Sequence, residues 1–306
     1  MSTTTAEVQE QHLSKEEIEQ LAHPKRPLRQ RIGVVASYVG MGLIVLYCII
    51  PFYWMVVSAF RDPSEGRSTE FIPSPASIEN FKSVFSATNN FGRSLLNSVI
   101  VAGTTTILVL VFGIIGAYAL ARLRFRGKVA VLWLIMACSM FPLVVLLPPL
   151  LKMFSSTSPF TWFPYWINTY QSVILPGLSF GLPLAVWTLT AFFKQLPVEL
   201  EQAAMVDGST VWGAFARIVL PIALPGLTAA FILSIVICWN EYFFSALLTS
   251  TNAKTLPVLV ASQTGSQGIN WWVMAAVATA AIAPLAIIGI ILERYIVKGL
   301  TAGSVK

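Results

Sequence analysis

The residue types that carry out most protein chemistry are few in this sequence and poorly spaced for it. Its two histidines, His12 and His23, both fall in a polar stretch ahead of the first apolar run. The three cysteines, Cys48, Cys138 and Cys238, sit singly inside apolar runs, with no C-x-x-C pair among them. A lone thiol in such a setting reads as a small buried hydrophobe. No His, Cys, Asp and Glu set has metal-ligand spacing, and no G-x-x-x-x-G-K-[ST] phosphate loop occurs. The expectation is therefore no catalytic residue, no metal and no cofactor in this chain. One acid, Glu241, lies inside a long apolar run, beside Asn240, Tyr242 and Phe243. An acid at membrane depth is a functional candidate by default, because hydrocarbon solvates charge badly. Glu241 falls about 28 Å along a helix started at Ile222, near its outer end. A structural or gating hydrogen bond is the expected role there. With Trp187, these residues combine hydrogen-bonding and stacking chemistry, although aromatic side chains in membranes more often pack or anchor at interfaces.

These residues are set in a framework of apolar helices. Of the 306 residues 56% are hydrophobic and only 11% are charged, against about 25% charged in a soluble domain. With a mean hydropathy of +0.72, the composition excludes a disordered chain, a collagen-like fibre and a disulfide scaffold, and it argues against a soluble enzyme. Uncharged or nearly uncharged runs of spanning length occur at 32–60, 94–121, 129–151, 172–193, 222–248 and 272–292. Each is near the 20 or so residues a bilayer requires. In lipid the backbone must satisfy itself, so these are six helices; a barrel would instead alternate in segments of about ten residues. Pro142, Pro148, Pro149, Pro176, Pro183, Pro225 and Pro284 lie in or beside spans three to six, which are expected to kink or break.

Orientation follows from the basic residues. With the N-terminus inside, fourteen of the 20 Lys and Arg lie on the cytoplasmic side and six outside. The cluster RLRFRGK at 122–128 is the sharpest anchor. Both termini are thus expected in the cytoplasm, with residues 1–31 a polar cytoplasmic segment and 32–306 the transmembrane domain. Within 1–31, SKEEIEQL at 14–21 has a capping-box pattern for a short helix. The first apolar run begins too late and is too long for a cleaved signal peptide. A nucleic-acid partner is not expected, because no soluble basic module exists, and no internal repeat is visible.

The most informative segment is QLPVELEQAAMVDGSTVWGAFARIVLPIALPG, which starts at Gln195. It joins spans four and five on the cytoplasmic side. Pro197 suits a helix start, Asp207-Gly208 a turn, and Ser209 or Thr210 a second N-cap. Two short amphipathic helices outside the membrane are expected over 195–221. Trp212, Phe215 and Ile218 recur at i, i+3 and i+6 as an apolar stripe, suited either to a partner or to this chain's own spans.

At these residues the sequence resembles inner-membrane permease subunits of bacterial ABC importers, whose loop reads E-A-A-x3-G-x9-I-x-L-P. The matching residues are Gln202, Ala203, Ala204, Gly208, Ile218, Leu220 and Pro221, with every spacing kept. Gln202 replaces the usual Glu, and Glu201 stands beside it; a neutral Gln keeps hydrogen bonds but forms no ion pair. AYALARLRFRGK, WNEYFFSALLTS and the closing RYIVKGLTAGSVK narrow the resemblance to carbohydrate importers of the maltose/trehalose type, and within them to the second, six-span subunit.

That resemblance implies the type I importer permease fold in the bacterial inner membrane. It implies a heterodimer with a second, homologous permease around a sugar path, and two ATPase subunits beneath, which hold the ATP and Mg. One ATPase would receive the loop 195–221 in a surface groove, and an extracellular binding protein would deliver the sugar. Trp187, Asn240, Glu241, Tyr242 and Phe243 become candidates for the substrate path. The outer loop 249–271, with Gly265-Ser266-Gln267-Gly268 at its middle, becomes a candidate contact for the binding protein, and the C-terminal tail would reach toward the ATPases. Two other readings compete. One is the same architecture carrying a glycerophosphodiester or similar non-sugar. The other is a self-contained secondary transporter, which would favour buried coupling acids and inverted repeats.

Overall fold

A computed structural model describes residues 28–64, 70–86, 88–155, 165–265 and 268–302. The short helix expected at 14–21 lies outside the described residues, as do Ser266 and Gln267. The chain divides after Trp54 into two compact units. The first contains most of α1 (Leu28–Ala59), whose apolar run passes through Pro51 without a break in the helix.

Among its described residues, the second unit is built of helices and a two-strand hairpin. Its helices are α2 (Glu79–Val84), α3 (Phe91–Arg122), α4 (Lys128–Ser139), α5 (Leu143–Phe154), α6 (Gln171–Gln195), α7 (Glu199–Val206), α8 (Val211–Ile222), α9 (Leu224–Trp239), α10 (Phe243–Leu248), α11 (Leu256–Ala261) and α12 (Trp271–Ala302). The hairpin pairs β1 (Thr264–Gly265) with β2 (Gly268–Ile269). Among the described residues, five helices are long and apolar enough to cross a membrane, or six where one bent pair is counted as a single span. The chain is an all-α polytopic membrane protein.

Proline acts on these spans unequally. The third is broken: α4 and α5 meet at 86°, and Pro142 stands at the break with extended backbone, φ −63° and ψ 125°. Proline pushes the residue before it out of the helical region and has no N–H to continue the ladder. Span five is interrupted at residues 240–242, between α9 and α10. Spans four and six were expected to kink or break as well. They run as continuous helices through Pro176, Pro183 and Pro284.

The core is built on α3 against α6. Lipid supplies little drive for helices to associate, so close backbone approach through small residues has to supply it. Gly177 and Gly181 of α6 form a G-x-x-x-G step facing Thr105 and Val109 of α3, which are also four residues apart. A Cβ on Gly177 would lie 3.1 Å from Thr105 Cγ2, and one on Gly181 2.6 Å from Val109 Cγ2. One turn further, Gly113 of α3 faces Ala185 of α6. Ala117, Leu189, Phe193, Phe215, Val219, Ala223 and Ala230 continue this packing at one end. At the other end Trp239, Leu256, Leu259, Val273 and Val277 fill the space between α3, α9, α11 and α12.

Candidate functional site

Segment 195–222 forms the two expected helices joined by a tight turn, but the second runs on through Pro221 to Ile222. Pro197 sits just before α7, with Glu199 and Glu201 in its first turn, where acids suit the helix dipole. The helix closes on Gly208, at φ +87°. The Gly208 N–H donates to the Met205 carbonyl at 3.1 Å, and the Ser209 N–H to the Ala204 carbonyl at 2.9 Å. This pair of bonds is a Schellman closure, which needs the left-handed residue that glycine provides. Of the two candidate caps Thr210 is the one used: its Oγ1 accepts from the Gly213 N–H at 3.1 Å.

α8 is irregular for an identifiable reason. Phe215–Val219 forms a π turn, and the Leu220 N–H reaches back to the Phe215 carbonyl. Pro221 has no N–H for the normal bond to Arg217, and its ring crowds that carbonyl; the wider turn relieves both problems. The expected stripe is divided between a buried and an exposed side. Phe215 is buried, with its ring 4.5 Å from that of Tyr118. Ile218 is half-buried. Trp212 is 67% exposed and touches Phe215 only edge-on.

The other loop residues also divide into two faces. Ala204 and Glu201 are buried, while Gln202, Ala203, Asp207, Gly208 and Pro221 are exposed and Leu220 is half-buried. Glu201 forms a buried ion pair that the sequence does not reveal. Arg122 Nε donates to Glu201 Oε1 at 2.6 Å, and the Tyr118 hydroxyl donates to Oε2 at 2.8 Å. Arg122 also donates to the Leu196 carbonyl at 3.0 Å. The pair borders a cleft of about 470 Å³ lined by Arg124, Lys128, Gln202 and Met205 among others.

Four of the five candidate path residues, Asn240 to Phe243, lie at the break in span five. The Glu241 carboxylate accepts from the Phe244 N–H at 2.6 Å and the Ser245 N–H at 3.1 Å, capping α10. These bonds give the acid a local structural role. Asn240 is exposed and donates back to the Val236 carbonyl at 2.8 Å. Tyr242 is exposed, and Phe243 packs edge-on against Phe244. Trp187 is exposed on α6, two turns beyond Phe180, the residue that stacks on Phe244 at 5.8 Å. The break and Trp187 are therefore separate features of the fold.

The segment after α10 is tied down by asparagines. Asn168, at φ 63°, points its Oδ1 at three successive backbone donors: Ser250, Thr251 and Asn252, at 3.0, 3.1 and 3.1 Å. Asn97 Nδ2 donates to the carbonyls of Asn252 and Lys254 at 3.0 and 2.8 Å, and Tyr170 donates to Asn97 Oδ1 at 2.9 Å. Burial pushes the Lys254 ammonium pKa down, and its Nζ donates to Ser262 Oγ at 2.9 Å. Gly265 and Gly268 pair across the hairpin.

Residues 109–302 match the family described as the binding-protein-dependent transport system inner membrane component. The chain belongs to this family. It is a membrane permease subunit of an ABC importer. Among relatives of this permease is the trehalose transport system permease protein SugB of Mycobacterium tuberculosis, 35% identical over 86% of this chain and 94% of that one. Another is the sulfoquinovosyl glycerol transport system permease protein SmoH of Agrobacterium fabrum, 32% identical over 90% and 94%. The permease shares its fold with a chain of a bacterial ABC transporter involved in the import of the acidic polysaccharide alginate. That match has a TM-score of 0.70 at 18% identity and covers 89% of this chain and 99% of that one.

Proposed function

We infer that this permease forms half of the translocation path for a disaccharide or oligosaccharide in the bacterial cytoplasmic membrane. It pairs with a second, homologous permease, stands on two ATPase subunits and receives its substrate from an extracellular binding protein. Both termini face the cytoplasm. Loop 195–221 is the contact with one ATPase, and loop 249–271 faces the binding protein. Trp187 and residues 240–243 border the path. Closure of the ATPases on ATP moves the loop and shifts the spans between outward- and inward-open packings.

The observation that carries this reading is the two-faced form of segment 195–222. Glu201, Ala204 and Phe215 anchor it to the spans, while Gln202, Ala203 and Trp212 stay exposed on its outer side. A loop that only connected two spans would have no need of an exposed tryptophan beside a closed helical turn. The sugar assignment draws support from the trehalose permease relative. The test is uptake of labelled trehalose and maltose by cells expressing the permease with its partner subunits, set against Trp212→Ala, which should lose both uptake and ATPase retention. Wild-type uptake with Trp212→Ala refutes the loop assignment.

A second reading, an anionic glycoside or glycerol conjugate as substrate, is favoured by the sulfoquinovosyl glycerol relative. Competition of uptake by neutral disaccharides and by charged glycosyl glycerols or glycerophosphodiesters separates the two.

A further inference from the structure

The last turn of α3 grips segment 195–222 at three separate points. Arg122 and Tyr118 stand four residues apart, on one face of that helix. Between them they hold the Leu196 carbonyl where the chain leaves α6, both carboxylate oxygens of Glu201 on α7, and the Phe215 ring on α8. The side chains of Arg122 and Glu201 are only 10% and 9% exposed. A charge left there without its partner has little water to turn to, so the two move together.

The opposite end of α3 grips the outer segment in the same manner. Asn97 holds the carbonyls of Asn252 and Lys254, and Ser98 Oγ accepts from the Leu256 N–H at 2.8 Å. Tyr170 fixes the Asn97 amide from α6's N-cap position. Residues 98 and 118 lie on one uninterrupted helix, about 30 Å apart at 1.5 Å per residue. Spans three and five are both interrupted, and α6, which is continuous, is held to α3 at both ends, by Tyr170 on Asn97 and by the Leu196 carbonyl on Arg122.

The geometry points to α3 as a lever. Tyr118, Arg122 and Glu201 at one end, and Asn97 and Tyr170 at the other, are positioning residues that make segment 195–222 and segment 250–256 move together. The lever rests on the assignment of these two segments to the ATPase and the binding protein. It adds that the signal between them travels along α3 and bypasses the chain connection through α9.

The test uses the assembled importer in lipid, with ATP hydrolysis measured with and without sugar-loaded binding protein. Tyr118→Phe and Asn97→Ala should each keep basal hydrolysis and lower its stimulation about fivefold, the lower end of what site-to-site coupling carries. The double variant should be no worse than the worse single, since both cut one route; additive losses would mean separate routes and would overturn the lever. Should Asn97→Ala fail to assemble, Tyr170→Phe removes one hydroxyl at the same end, and wild-type stimulation in both tyrosine variants overturns the lever too. Trp212→Ala distinguishes the underlying assignment. If it retains the ATPase fully, the loop assignment fails; if it loses the ATPase while Tyr118→Phe keeps full stimulation, only the lever fails.

Discussion

Gly181 of α6 lies against Val109 of α3 so closely that a Cβ on the glycine would stand 2.6 Å from Val109 Cγ2. Val109 is itself fully buried. The two helices carry segment 195–222 at one end and the Asn97–Asn168 ties at the other, so this contact sets the spacing of everything between. Gly181→Leu should push the helices apart at an overpacking cost of about 1–3 kcal/mol. The expected outcome is a lower melting temperature in detergent and reduced membrane abundance. Gly92→Ala, with nothing within 4 Å of its Cβ position, should leave both unchanged.

Gly208→Val tests the turn. The position has φ +87° and open space around it, so the cost comes from the backbone. A β-branched residue there stores about 1–3 kcal/mol of strain. The Schellman closure should open and α8 should tilt. Membrane abundance should stay near normal while ATPase co-purification and uptake fall together. Wild-type uptake would exclude this loop as the coupling element.

Asn168→Ala removes one acceptor from three backbone donors. Net losses of about 0.5–1.5 kcal/mol per hydrogen bond fall on one exposed segment. The effect should be local: faster protease cleavage or hydrogen exchange at 249–255, with the melting temperature of the whole chain little changed. Asn168→Asp keeps the accepting oxygen and should behave almost as wild type.

Topology is checked by single cysteines labelled from one side of the membrane. Positions in 61–93, 152–171 and 249–271 should react from outside, and those in 122–128 only after permeabilisation. Outside labelling at 122–128 would reverse the orientation and the loop assignment with it.

The isolated permease should hydrolyse no ATP above background, and hydrolysis should appear when the ATPase subunits are added. Turnover by the pure chain would refute the division of labour proposed here.

What could be read in the sequence was local. Apolar runs mark spans because hydrocarbon thickness fixes their length, and Asp207-Gly208 with Thr210 marks the turn because the residue types dictate the backbone. What could not be read depends on distant partners or on helix phase. Arg122 reads as a topological anchor, and nothing within its own segment points to Glu201, 79 residues away. Asn97 gives no sign of its bonds to the carbonyls of Asn252 and Lys254. The stripe from Trp212 to Ile218 is legible as spacing, but which member packs inward depends on Tyr118, nearly a hundred residues earlier in the chain, whose ring meets Phe215. The prolines of α6 and α12 suggest broken spans, yet both helices continue, since neighbours and local adjustment can absorb the missing hydrogen bond.

The π turn at Phe215–Val219 also bears on how this chain tolerates changes in length. Within a regular membrane helix, losing one residue rotates everything downstream by about 100° and turns its buried side toward lipid. A π turn is a helix with one residue to spare. Removing exposed Arg217 would take out that spare residue while Thr210 and Ala223 keep their facings, with the strain confined to the Pro221 ring and the carbonyl four residues before it. Deletion of Arg217 should therefore lower membrane abundance less than any single-residue deletion within α9, whereas deletion of buried Phe215 or Val219 should not be spared.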